Sequence, residues 1–168
     1  MMSCPIVTAR ADATSAPGAD VAVGHIRQRI ARSVFRQLDE AEVEIGKLPP
    51  ADCPVTHRFT PGLYIREIFM PAGTALTSKI HCTEHPYVIS RGVVSVFTEA
   101  DGAKLLSAPY FGITKPGTRR LLYIHEDTIW TTFHPTDLTD VAAIEEAIIM
   151  KHINPLLDTT KEDALCPG

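Results

Sequence analysis

The chain has 168 residues, 45% of them hydrophobic and 21% charged, which suits one globular domain with a sizeable core and leaves little room for two. A formal net charge of -4 gives no electrostatic reason to expect nucleic acid or an anionic membrane as the main partner. No stretch approaches the ~18 consecutive apolar residues of a membrane span, and none of the 4 cysteines forms a Cys-x-x-Cys pair, so neither a zinc knuckle nor a redox dithiol is indicated.

Residues 1–20 are rich in Ala, Ser, Thr, Pro and Gly and read as a flexible arm. They hold no cationic patch followed by an apolar run, so no secretory signal is expected, and a cytosolic setting with free thiols is the simpler expectation. Over residues 21–48 the apolar side chains Val23, Ile26, Ile30, Val34 and Leu38 recur at steps of three or four, the stripe of an amphipathic helix. Asp20 can cap it, and Pro49-Pro50 ends it. The stripe needs a cover, and pairing of two copies into a homodimer or higher oligomer would supply one.

From 53 to 136 the pattern changes to short runs rich in β-branched and aromatic residues: Leu63 to Met70, Tyr87 to Ser90, Val93 to Thr98, Arg120 to Ile124 and Thr128 to His134. Turn signals separate them, at Pro71-Ala72-Gly73, Arg91-Gly92, Asp101-Gly102, Pro116-Gly117 and Glu126-Asp127. Many short strands at close spacing predict an antiparallel barrel or sandwich. A second helix is predicted within 137–154, capped by Thr139 or Asp140, with Val141, Ile144 and Ile148 on one face and Asn154-Pro155 closing it. Residues 155–168 read as a tail, and no internal repeat is present.

The chemistry concentrates between Gly73 and Gly92, where Lys79, His81 and His85 stand at spacings of two and four. On a strand, Thr77, Lys79 and His81 would share the inward face, and His85, Tyr87 and Ile89 would share the inward face of the next. The spacing Gly73, Lys79, His81, His85, Gly92 resembles the first motif of the cupin superfamily, with Lys79 where its first histidine stands and His85 where its glutamate stands. Lys115-Pro116-Gly117 followed by Arg120 resembles the second motif, with the proline one place out of register and arginine where histidine is usual. The resemblance covers roughly residues 59–134. It implies a mainly β, jelly-roll barrel of the cupin type, here with an N-terminal and a C-terminal α-helix.

The runs His57-Arg58-Phe59, Pro61 to Glu67, His81 to Gly92, Lys115-Pro116-Gly117 and Tyr123 to Asp127 further resemble small cupin-like proteins of tailed bacteriophages and prophages. That likeness implies a place in the host cytoplasm or on a virion. It also sharpens a departure, because such relatives often carry a fuller set of histidines where this chain has Lys79.

Metal-dependent cupins commonly present three histidines and a carboxylate, whereas this chain matches with two histidines, a lysine and an arginine. Two cations beside a divalent ion oppose its binding, and arginine cannot be a ligand, so a metal on His81 and His85 is the less favoured reading. The favoured one is a pocket for a small anionic molecule. Lys79 and Arg120 hold its charge, His81 and His85 add donors, and Tyr87 closes a wall. The cofactor is left unknown and no catalytic residue is assigned. An alternative is a structural or interaction protein of a phage particle or phage–host interface.

Other residues take plainer readings. His125 is placed in an exposed turn, His57 in a loop near Cys53, and His25 and His152 on helix surfaces. His134 shares a strand face with Trp130 and Thr132, where it either reaches the interior or ends the strand. Trp130 reads as core. Cys82 would face away from His81, and Glu84 away from His85 unless it lies in the turn.

Overall fold

The structure is a computed structural model that describes residues 35–151. The arm at 1–20, most of the first helix, His25, His152 and the tail at 155–168 lie outside the described residues. The chain runs through the helix α1 (35–45), then β1 (Val55–Thr60), β2 (Leu63–Met70), β3 (Ala75–Thr77), β4 (Ile80–His81), β5 (His85–Arg91), β6 (Val93–Thr98), β7 (Gly102–Ser107), β8 (Tyr110–Thr114), β9 (Arg120–Ile124) and β10 (Thr128–Pro135), and ends with α2 (Val141–Ile148) and β11 (Ile149–Met150).

Two antiparallel sheets carry the fold, one in the order β1-β2-β10-β5-β8 and the other β3-β9-β6-β7. Successive strands pass from one sheet to the other at β2 to β3, β5 to β6, β7 to β8, β8 to β9 and β9 to β10, which is jelly-roll connectivity. Among the described residues no backbone ladder joins the two large sheets, so the expected barrel is an open sandwich. A third, two-stranded ladder of β4 with β11 lies apart from both.

Period-two burial shows why these segments are strands. Thr128, Trp130, Thr132 and His134 of β10, His85, Tyr87 and Ile89 of β5, and Arg120, Leu122 and Ile124 of β9 are all buried. The main core joins Met70, Tyr87, Ile89 and Trp130 of one sheet to Val94, Val96, Leu106, Leu122 and Ile124 of the other. Burying each large aliphatic side chain there contributes about 1.5–3 kcal/mol. A smaller cluster seats α2 on Tyr64 of β2 through Ile144 and Ile148. Asp140 caps α2 by accepting from the Ala143 N–H at 2.8 Å, and the helix stops at Ile148, short of the predicted limit.

α1 is tied on by charge as well as by its buried Leu38. Arg119, buried just before β9, pairs with Asp39 and, at 2.7 Å, with Glu42, whose other oxygen accepts from Thr77 at 3.0 Å. Gly92 makes the β5–β6 turn at φ +94, where a Cβ would sit 2.4 Å from Thr128 Oγ1 and 2.5 Å from Asp127 O. No helix among the described residues is long and apolar enough to cross a membrane.

Candidate functional site

A cavity of about 240 Å³ opens between the sheets under α2. One end carries His81 from β4, His85 from β5 and His134 from β10. β10 pairs with β5 with Thr132 opposite Tyr87, and continuing that register sets His134 beside His85. The ring centroids of His85 lie 4.3 Å from those of both His81 and His134, and His81 and His134 stack at 5.2 Å with an interplanar angle of 13°. One nitrogen from each ring lies within 4.8 Å of the other two, and the group includes no carboxylate.

The hydrogen bonds fix the lone pairs of His85 and His134. His85 Nδ1–H donates to the Thr83 carbonyl at 3.2 Å, leaving Nε2 unprotonated. The Thr132 hydroxyl donates to the Arg66 carbonyl, so its oxygen accepts the Nε2–H of His134 at 3.0 Å and the Nδ1 of His134 is bare. Nδ1 of His134 and Nδ1 of His81 are buried without a hydrogen-bond partner, an arrangement that costs about 1–3 kcal/mol per group when nothing satisfies it. All three rings are held neutral. Burial, then the nearby His85, Arg120 and Arg66, pushes His81 down to about 4. Burial, with His85, His81 and Arg66, pushes His134 down to about 3. His85 is lowered mainly by burial, against its bond to Thr83.

Arg120 enters from β9 and is 7% exposed. Its Nη2 donates to Thr114 Oγ1 at 2.8 Å, and the guanidinium carbon stands 5.4 Å from the Tyr87 ring centroid and 6.0 Å from that of Trp130. Among the described residues no carboxylate comes within ion-pair distance of Arg120. Desolvation lowers its affinity for the proton, yet a guanidinium stays charged. Arg66 also lines the cavity.

The residues expected to form the site separate into two groups. His81, His85 and Arg120 meet at the cavity. Lys79 also lines the cavity, at its mouth, where its Nζ bonds Glu145 Oε1 at 2.7 Å and 57% of its side chain is exposed. The strand expected through Thr77, Lys79 and His81 is interrupted at Ser78 and Lys79, yet all three residues line the cavity. Tyr87 does not line the cavity; it stacks on Trp130 at 4.4 Å, behind Trp130 and beneath Arg120. Its hydroxyl is pushed up to about 12, chiefly by burial.

His134 completes the cluster, and the period-two face it shares with Trp130 and Thr132 was the signal for it. Trp130 is both core and cavity wall. His57 lies in β1, not in a loop, and its Nδ1 shares a 2.6 Å hydrogen bond with the Tyr64 hydroxyl. Cys53 and Cys82 are free thiols, and Glu84 is exposed in the turn before β5.

Three neutral imidazoles, each with a nitrogen within 4.8 Å of the other two, suit zinc or another divalent transition metal. The two buried nitrogens without a hydrogen-bond partner fit such an ion.

No protein-family model matches the chain, and no match was found among curated proteins. Solved structures of cupin type resemble it in chain path. A RmlC-like cupin family protein from Methanocaldococcus jannaschii is 12% identical, with 54% of this chain and 86% of that one covered at a TM-score of 0.43. A double-stranded β-helix protein from Klebsiella pneumoniae is 13% identical, with coverages of 56% and 85% and a TM-score of 0.46. A DMSP lyase from Ruegeria pomeroyi is 16% identical at a TM-score of 0.45, over 56% of this chain and 54% of its own. At these scores the similarity says nothing of ligand or reaction, which are read from the site alone.

Proposed function

We propose that the cavity binds one divalent transition-metal ion through His81, His85 and His134, and draws a small anionic molecule in beside it with Arg120. The observation that carries the reading is the convergence of three neutral imidazoles, two of them with buried nitrogens that have no hydrogen-bond partner. The electrostatic objection to a metal weakens because Lys79 pairs with Glu145 at the mouth and His134 adds a third imidazole. Held by three imidazoles, such an ion keeps open positions for water or an anion and polarises what binds there.

Thermal melts of chelator-treated full-length protein with zinc, manganese, nickel or ferrous ion test it. At a hundredfold excess over the dissociation constant, a metal that binds the folded state adds about 2.7 kcal/mol. The reading predicts an upward shift in the native chain that His134→Gln abolishes; a shift of equal size in both would contradict it.

Two further expectations are kept as proposals. Phage or prophage origin, with its host-cytoplasmic or virion location, rests on the sequence motifs. Homodimerisation rests on the apolar stripe of residues 23–38, and light scattering on the full chain would contradict it by returning a monomer.

A further inference from the structure

We infer that the anionic molecule taken by this cavity is a small monocarboxylate with an apolar body, its carboxylate received by Arg120. The inference deepens the reading of the cavity as a ligand site and does not depend on a metal at the histidines. Arg120 is a buried guanidinium that uses one N–H on Thr114 and has no acid within ion-pair distance among the described residues. A buried charge of that kind is costly until an anion meets it. The guanidinium fork matches a carboxylate in bidentate fashion.

The rest of the cavity selects the body of the ligand. Ile68, Met70, Leu76, Leu122 and Ile148, with the Trp130 ring, line it with apolar surface. Phosphate, a compact anion with no apolar body, would leave these apolar walls uncovered. The volume of about 240 Å³ admits a ligand of small-molecule size. Cyclohexanecarboxylate and benzoate combine one carboxylate with an apolar body that such walls can cover.

Trp130 is the chain's only tryptophan and forms part of the wall, so its fluorescence reports occupancy directly. Metal-free and zinc-loaded full-length protein are titrated with cyclohexanecarboxylate, with its neutral isostere cyclohexanecarboxamide and with inorganic phosphate, with calorimetry in parallel. The expected result is saturable binding of the carboxylate in at least one of the two forms. It should be tighter than that of the amide and of phosphate by at least about tenfold, and weakened by at least about tenfold in Arg120→Gln.

Equal affinity for acid and amide, tighter binding of phosphate, or no saturable response to the carboxylate in either form overturns the inference. If Arg120→Gln fails to fold, the acid–amide comparison on the native chain decides. Carboxylate binding by a protein that takes up no metal would retire the metal reading alone, and metal uptake without carboxylate binding would retire this inference alone.

Discussion

In the metal-free protein, lowering the pH from about 7 to about 4.5 protonates imidazoles of the unfolded chain, whose ordinary value is 6.5, before it protonates those packed at the cavity, held at about 4 for His81 and about 3 for His134. Above 6.5 both states carry neutral rings and stability has its full value. Between 6.5 and the folded-state value the unfolded chain takes up protons that the folded chain refuses, so stability falls as pH falls, by about 1.4 kcal/mol per pH unit per histidine. For His134, which is 1% exposed, the two units down to pH 4.5 amount to about 2.7 kcal/mol. His81 is partly open to solvent, and discounting its share by about half leaves about 1.4 kcal/mol.

The sum of about 4 kcal/mol is a large fraction of the 5–15 kcal/mol, roughly, that holds a domain of this size together. Urea unfolding followed by Trp130 fluorescence, in half-unit steps across that range, measures it. Carboxylates also titrate toward the acid end, so the informative quantity is the difference from His134→Gln, whose slope should be shallower by about 1.4 kcal/mol per pH unit below 6.5. Equal slopes in the two proteins, or a stability that stays flat from pH 6.5 to about 5, would refute the burial argument.

Two substitutions probe the frame around the site. In Gly112→Ala the new Cβ would lie 2.4 Å from Tyr87 Cζ and 2.5 Å from its oxygen, and Tyr87 is pinned against Trp130. A loss of about 1–3 kcal/mol in urea titration, with altered tryptophan emission, is expected, and an unchanged midpoint and spectrum would contradict that packing. Lys79→Ala removes an exposed ion pair with Glu145 and should cost less than about 1 kcal/mol; a loss above about 2 kcal/mol would give Lys79 a role that its exposed position does not.

Much of the frame was legible because alternation is local. The inward faces of β5 and β9, with His85, Tyr87 and Ile89 on one and Arg120, Leu122 and Ile124 on the other, follow from period two alone. β7 and β8 escaped because Gly-Ala-Lys-Leu-Leu-Ser lacks alternation, while Pro109 and Gly112 imitate a turn. The setting of Lys79 has a longer-range cause. Ser78 donates to Arg120 and His81 accepts from Gly117 in one antiparallel register, while His81 also lies opposite Ile149 of β11 and Lys79 pairs with Glu145 of α2. Those second partners lie about seventy residues further on, which no local period reveals. His134 was seen on the right face, but its place beside His85 depends on the β10–β5 register, another long-range pairing.

The central claim is that His81, His85 and His134 hold a metal ion, and elemental analysis of untagged protein, purified without chelator and set against protein concentration, tests it most directly. The account predicts one iron, manganese, nickel, zinc or related ion per chain, lost in the His81→Ala, His134→Gln double variant while that variant remains folded by circular dichroism. Metal-free native protein that also fails to take up any of these ions on dialysis, or a variant that retains the full complement, would contradict it.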